Sequence, residues 1–236
     1  MSTQKEEHMR AMRAYIAEFI GTGALILFGA GSIIVTQAMV GSSAALIAVA
    51  LAHGLIIACM VSTFGAISGG HFNPAVTFGF IVSRKMPKRK AYGYIVAQLL
   101  GAVAGAIALQ ARFFPRTWEA AQLGTPMLAS DVSFWQGVFI EAVLTFILMM
   151  VIFGTAVDSR APKVGGLFIG FAITIDILLG GVLTGAAMNP ARTFGPALMG
   201  WIGGASYNPW AGHLVYWLGP LIGAGIAAWV YKKIFE

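Results

Sequence analysis

Six long apolar stretches constrain this chain of 236 residues more than any other feature. A helix needs about 20 apolar residues to cross roughly 30 Å of hydrocarbon. Charged residues make up only 10% of the sequence, whereas soluble domains carry about 25%. Because so few charges cannot cover a water-facing surface, we predict an all-α membrane protein with six transmembrane helices. The stretches lie near residues 11–35, 43–64, 90–111, 133–157, 164–184 and 213–233.

Two shorter apolar segments, near residues 74–83 and 190–200, are too short to cross the bilayer. Ten helical residues span about 15 Å at 1.5 Å per residue, which reaches the membrane midplane. We therefore predict two half-helices in addition to the six spans.

The basic residues predict the orientation, because Lys and Arg accumulate in cytoplasmic loops. With the N-terminus inside, Arg112 and Arg116 lie outside and Arg192 lies within the membrane region. We expect cytoplasmic termini, a cytoplasmic tail at residues 1–10, and the cell membrane rather than an internal membrane. The twelve basic residues on the cytoplasmic side are Lys5, Arg10, Arg13, Arg84, Lys85, Lys88, Arg89, Lys90, Arg160, Lys163, Lys232 and Lys233.

The sequence contains an internal repeat around the two half-helices. Residues 68–79 read SGGHFNPAVTFG, and residues 184–195 read TGAAMNPARTFG. Each copy is accompanied by three spans, so the second copy enters the membrane inverted. Such a repeat, interrupted at matching positions, indicates a site near the midplane between the halves. We expect a first repeat at 11–115, an extracellular connection at 116–132 and a second repeat at 133–236, arranged around a central pore.

Further residues match between the halves. Glu18 and Glu141 lie in the first span of each half, and the last spans carry Gly101 with Gly105 and Gly219 with Gly223. A buried carboxylate is costly in lipid, so both glutamates are expected to face the bundle interior.

With these motifs the sequence resembles the aquaporin (major intrinsic protein) family over essentially its full length. Asparagine is a favoured helix N-cap, and proline suits the first helical position. The resemblance implies that the two half-helix starts meet at the centre of a pore. Their positive dipole ends and side-chain amides would bind water there and exclude ions and protons. The two motifs comprise Asn73, Pro74, Ala75, Asn189, Pro190 and Ala191.

The resemblance also implies roles for residues around the motifs. Glu18 and Glu141 would brace the two pore loops by accepting backbone N–H bonds. The selectivity filter would consist of His53, Ile177, Ala186 and Arg192. Arg192 lies three residues into a half-helix, where the dipole disfavours a cation, so stability alone does not explain it. The pore-loop backbone, whose carbonyls could line the path, comprises Gly69, Gly70, His71, Gly185 and Ala187.

This filter differs from the water-only pattern, in which an aromatic residue takes the His53 position and a histidine the Ile177 position. It is similar to the filter of the tonoplast intrinsic subgroup of plants, which is associated with water and ammonia, and in some members with urea or hydrogen peroxide. We expect passive water conduction first and ammonia second.

Three alternatives and two residues are left open by the sequence. A glycerol facilitator of the same family tends to carry aspartate where this chain has Thr193. A coupled transporter would share the inverted repeat, and a structural membrane protein would have a closed pore.

Asp176 is expected either to form a hydrogen bond behind the pore wall or to contact another subunit. Cys59 follows His53 by six residues on the same span, so it could face the pore.

No sequence feature indicates enzymatic activity, a metal, a cofactor or a nucleic-acid partner. The sequence has no nucleophilic side chain paired with a general base, no Cys/His cluster with metal-ligand spacing and no phosphate-binding loop. The expected partners are water, small neutral solutes and the lipid bilayer. A homotetramer is implied by the resemblance.

Overall fold

The computed structural model describes residues 3–39 and 43–236, and within these ranges the chain forms helices and no strands. The predicted all-α fold with six spans and two half-helices is confirmed. The helices are α1 (Thr3–Ala24), α2 (Gly31–Met39), α3 (Ser43–Ser68), α4 (Pro74–Val82), α5 (Lys88–Arg112), α6 (Pro115–Ala120), α7 (Phe134–Ile152), α8 (Gly165–Thr184), α9 (Pro190–Ile202) and α10 (Val215–Val230).

The helix bounds differ from the predicted spans mainly at the ends. A π-helical segment, Leu25–Ala30, joins α1 to α2 into one span that begins at Thr3 rather than near residue 11. The predicted tail is thus helical from Thr3, while its residues 1 and 2 lie outside the described residues. The short helix α6 lies at the start of the predicted connection and was not expected, because six residues carry no periodic signal.

Among the described residues, five helices are long and apolar enough to cross a membrane. The sixth span is α10, which has only 16 residues. It continues as a π-helical turn, Tyr231–Phe235, that brings it to membrane-spanning length.

The helix packing follows the inverted repeat. Helix α1 packs on α5 in the first half, as α7 packs on α10 in the second. Helices α3 and α8 face each other across the junction of the halves, and each half-helix packs on the last span of the opposite half, α4 on α10 and α9 on α5. The half-helices thus join the two halves, and α4 also packs on α5 within its own half.

Glycines allow the spans to approach closely. A Cβ on Gly101 would lie 2.2 Å from the carbonyl oxygen of Phe19, and one on Gly223 would lie 2.1 Å from that of Ala142. Small residues let backbones touch where lipid provides no hydrophobic drive for association. The sequence motif in the last span of each half therefore marks the contact with the first span.

The loops define two ends of the bundle. We call the end formed by residues 83–87, 158–164 and 231–236 the inner end, and the end formed by 113–133 and 203–214 the outer end. At the inner end Lys85 forms an ion pair with Glu236, and the Arg160 guanidinium lies 3.5 Å from the carbonyl oxygen of Phe235. These contacts join the C-terminal turn to the inner loops.

Candidate functional site

The two half-helices begin at their asparagines. The Asn73 side-chain oxygen accepts the backbone N–H of Ala75 at 2.8 Å. The Asn189 side-chain oxygen accepts from Ala191 at 3.0 Å and from Arg192 at 3.3 Å. Each asparagine has extended backbone and is followed by proline at the first helical position. Both caps therefore satisfy N–H groups that would otherwise be unpaired in the membrane.

The asparagine amides also join the two half-helices to each other. The Asn73 Nδ2 donates to the carbonyl oxygen of Met188 at 2.8 Å, and the Asn189 Nδ2 donates to that of Phe72 at 2.9 Å. Each amide has a second hydrogen, and both asparagines line a common cavity. The arrangement thus presents two amide donors and two positive helix ends at one point.

The loops before the asparagines repeat one unusual backbone pattern. Glycine begins each loop, and non-glycine residues with positive φ follow, a conformation that costs of order 1–3 kcal/mol each. Such strain persists only where surrounding contacts hold it. The positions with positive φ are Gly69 (92°), Gly70 (65°) and Phe72 (49°) in the first loop, and Gly185 (80°), Ala186 (43°) and Met188 (52°) in the second.

Glu18 supplies those contacts in the first half. Its carboxylate accepts the backbone N–H groups of His71 at 3.0 Å and Phe72 at 2.6 Å, and the hydroxyl of Ser68 at 2.7 Å. The Gln98 amide donates to it at 2.8 Å. The glutamate is fully buried, and four donors compensate for removing its charge from water.

Glu141 makes the equivalent contacts in the second half. It accepts the backbone N–H groups of Ala187 at 2.9 Å and Met188 at 2.6 Å, and the Thr184 hydroxyl at 2.7 Å. The Tyr216 hydroxyl donates to the Thr184 carbonyl at 2.8 Å. The two carboxylates thus contact residues exactly one repeat apart.

The sequence analysis did not predict the contacts of several side chains that support the pore loops. Tyr94 donates to the Ser68 carbonyl at 2.7 Å, as Tyr216 does to Thr184. Gln98 is a polar residue in the middle of an apolar span, and this position in the sequence could have indicated its structural role.

The cavity between the half-helices is narrow and mostly apolar. The centres of water-sized molecules have about 40 Å³ to occupy, which is enough space to hold water. All four predicted filter residues line it, together with Gly70, His71 and Ala187. Gly69 lines the adjoining inner cavity, and Gly185 ends α8 against Pro126. The other apolar residues of the lining, which the sequence analysis did not identify, are Leu25, Ile57, Val61, Phe72, Val76, Leu148, Ile152, Ile169, Ile173 and Met188.

Arg192 and His53 are the polar members of the predicted filter. The Arg192 Nε donates to His53 Nε2 at 3.1 Å, and its Nη1 donates to the Gly124 carbonyl at 2.8 Å. His53 Nδ1 lies 2.8 Å from the Val49 carbonyl, so this nitrogen carries the proton and Nε2 accepts. Arginine has five N–H donors, and the other three have no partner among the described residues. Gly124 belongs to the predicted connection, and its role as a support for Arg192 had no sequence signal.

A glycine in the π-helical segment makes room for His53. A Cβ on Gly29 would lie 2.7 Å from His53 Cδ2. The irregular turn in the first span therefore lies directly behind the filter.

Further cavities continue from the pore to the inner end, where residues 155–167 form the mouth. Asp158 lies in this mouth and accepts from the Arg160 guanidinium at 2.9 Å and from the Tyr231 hydroxyl at 3.0 Å. The hydrogen bonds from Arg160 hold the pKa of Asp158 well below its usual range. The carboxylate therefore stays ionised at neutral pH.

The structure separates Cys59 and Asp176 from the pore. Cys59 is exposed and lies in a groove on the outside of the bundle beside Leu55, so the possibility that it faces the pore is wrong. Asp176 is 4% exposed, and its Oδ2 has no hydrogen-bond partner among the described residues. The expected hydrogen bond is therefore not formed there, and nothing in the structure explains this carboxyl. Within residues 3–39 and 43–236, no group of three or more His, Cys, Asp or Glu side chains is arranged to hold a metal ion.

Comparisons with known proteins give a consistent result. The family described as "Major intrinsic protein" matches residues 5–231. "Aquaporin TIP1-2" from Musa acuminata is 40% identical over 235 residues, covering 97% of this chain and 88% of that protein. "Aquaporin TIP4-1" from Arabidopsis thaliana is 40% identical over 229 residues, covering 94% and 86%. The structure of the aquaglyceroporin from Plasmodium falciparum is similar with a TM-score of 0.86 at 26% identity, covering 95% of this chain and 97% of that one.

The carboxylate contacts predict the effect of Glu141→Gln. The amide replaces one acceptor oxygen with a donor that faces backbone N–H groups, so we expect a loss of about 2–3 kcal/mol in the free energy of unfolding. The measurement is unfolding of purified protein by titration with SDS. Glu7→Gln, on an exposed turn of α1, serves as the control, and equal stability of the two variants would contradict the prediction.

Proposed function

The chain belongs to the major intrinsic protein family, and we propose that it conducts water passively through the cavity between its two half-helices. The family transports water and small solutes across membranes, and the chain is an integral, multi-pass membrane protein. Its relatives at 40% identity are aquaporins. The meeting of the two asparagine-capped helix starts in one cavity carries the proposal.

The geometry accounts for passage of water without protons. The free amide hydrogens of Asn73 and Asn189 donate to the oxygen of a water at the centre of the cavity. That water then directs both of its hydrogens away from the centre of the pore. Because its oxygen already accepts from both amides, it cannot accept the next hydrogen bond in a proton relay. Each helix start carries about half a positive charge, which repels cations at the same point.

The filter supports a second permeant. Ile177 and Ala186 are apolar and line the same cavity as the donors of Arg192, and His53 is already bonded to that arginine. Ammonia carries no net charge, so losing its hydration in such a constriction costs less free energy than it does for an ion. The proposal therefore includes ammonia as a substrate after water.

The alternatives are less well supported. A coupled transporter needs a free charge at a site near the midplane. Glu18 and Glu141 are bonded to the pore loops, and Asp176 does not line the cavity. The likeness to an aquaglyceroporin is one of fold at 26% identity, whereas the aquaporins named above are 40% identical. A structural protein would not need a lined cavity. Glycerol conduction is the alternative that an experiment has to separate from water conduction.

The proposal places the inner end in the cytoplasm, because most basic residues lie there or in the N-terminal segment. The expectation of the cell membrane gains no support from the relatives, which are tonoplast intrinsic proteins. It stays a prediction, and the location of tagged protein in cells tests it.

Water conduction is tested with purified protein in lipid vesicles. Stopped-flow light scattering is expected to show faster shrinkage in an osmotic gradient than in empty vesicles, and Asn189→Leu is expected to slow it because one central donor is lost. Cys59→Ser, outside the pore, is the matched control and should keep the rate. Shrinkage no faster than in empty vesicles would overturn the proposal. Rapid reswelling in a glycerol gradient would favour the glycerol alternative.

The filter is tested by the double variant His53→Phe with Ile177→His. These changes narrow the constriction and make its wall more polar, so we expect the ratio of ammonia to water permeability to fall about tenfold, equivalent to ~1.4 kcal/mol in the barrier. Internal pH dyes report ammonia entry in the same vesicles. Ile173→Val changes the pore wall away from the filter and is the control. An unchanged ratio in the double variant would contradict the assignment.

The oligomeric state is tested by native mass spectrometry in detergent. The proposal includes a homotetramer, so we expect a main species of four times the 24.9 kDa chain mass. A spectrum containing only the monomer would refute it.

A further inference from the structure

A buried hydrogen-bond chain connects Glu18 to the pore wall. The Gln98 Nε2 donates to Glu18 at 2.8 Å and to the Thr77 hydroxyl at 3.0 Å. The Thr77 hydroxyl lies 3.1 Å from Nδ1 of His71, which lines the cavity. Gln98 and Thr77 are fully buried and do not reach the cavity themselves. They act on it only through His71.

The direction of each hydrogen bond follows from the chemistry of its two groups. A carboxylate only accepts, so Gln98 turns its amide nitrogen toward Glu18 and donates its second hydrogen to Thr77. The Thr77 hydroxyl has one hydrogen, and the carbonyl oxygen of Asn73, four residues earlier in the helix, lies 3.1 Å away. Donation to that carbonyl is the usual bond of a helical threonine. The Thr77 oxygen then faces His71 as an acceptor, so Nδ1 carries the proton.

The other nitrogen of His71 is left for the pore. Nε2 has no hydrogen-bond partner among the described residues and is not enclosed by them. The ring is held between Phe80, at 4.2 Å between centroids, and Tyr94, at 5.3 Å. We propose that Gln98 and Thr77 are positioning residues that fix the tautomer of His71, so that Nε2 presents a lone pair to water on the inner side of the asparagines. This proposal rests on the water-channel function.

The second half of the chain has no such arrangement. Ala187 occupies the position of His71, and the Thr193 hydroxyl donates to the Pro190 carbonyl at 2.9 Å without contacting a histidine. His53 Nε2 on the outer side is occupied by Arg192. Among the described residues, an imidazole with an unpaired nitrogen therefore lines the cavity only between the asparagines and the inner end.

A lone pair at this position matches the orientation of the water file. Water bound through its oxygen to the asparagines directs its hydrogens away from the centre, so waters nearer the inner end point their hydrogens inward. An acceptor there binds the second hydrogen of a water in this orientation, whereas an N–H donor leaves that hydrogen without a partner on the imidazole. The tautomer thus affects how easily water passes the inner half of the pore.

The test compares Thr77→Val with Thr193→Val. Both threonines are fully buried and lie at the same position of their half-helices, so the two variants lose the same hydroxyl in matched surroundings. Nitrogen-15 NMR of histidine-labelled protein in lipid reports the tautomer, and the His71→Ala spectrum identifies the His71 signals among four histidines. We expect Nδ1–H in the unmodified protein and in Thr193→Val, and a mixture of tautomers in Thr77→Val.

Water permeability of the same samples provides the functional readout. Thr77→Val is expected to lower it by about threefold, the scale of one hydrogen bond lost in the barrier, and Thr77→Ser is expected to restore both the tautomer and the rate. An Nε2–H tautomer in the unmodified protein, or an unchanged tautomer in Thr77→Val, would overturn the proposal. Equal permeability of the two valine variants would also overturn it. The NMR result does not depend on water flux, so failure of the tautomer assignment and failure of the channel function can be told apart.

Discussion

The requirement that every backbone polar group in a bilayer be hydrogen-bonded governs this structure. Two pore loops leave helical geometry near the midplane, and their N–H groups would be unpaired without Glu18 and Glu141. Each buried carboxylate needs hydrogen-bond donors, and the N–H groups of each irregular loop need acceptors. Both groups are hydrogen-bonded only when the glutamate and its loop lie together. The strained backbone before each asparagine persists for this reason.

The sequence predicts the parts of the fold that depend on local pattern. Apolar length identifies the spans, and the repeated Asn-Pro-Ala segments identify the half-helices, because capping chemistry is local. Long-range contacts were not predictable. Nothing near Gly124 shows that its carbonyl accepts from Arg192, and Tyr94 resembles any aromatic residue in a span. The roles of the filter and motif residues stay predictions, although the structure brings His53, Ile177, Ala186 and Arg192 to one cavity.

The two halves share a backbone but differ in their side chains. The carboxylates, loops and asparagine caps repeat closely. In contrast, Ala187 occupies the position of His71 in the second half, and among the described residues no side-chain amide contacts Glu141 as that of Gln98 contacts Glu18. The repeat therefore provides the scaffold, and the departures from it give each side of the cavity its own chemistry. On the outer side a cation and its supports line the path, and on the inner side an imidazole does.

The placement of each half-helix against the opposite half has a consequence for biosynthesis. Helix α4 packs on α10, which follows helices α1 to α9 in the sequence and is therefore made after them. Until the second pore loop is in place, the Asn73 amide lacks the Met188 carbonyl that it binds in the finished protein. Until α10 is inserted, the first half-helix also lacks its main packing surface. The spans can enter the bilayer one by one, but the pore can close around its centre only after α10 has been made and inserted.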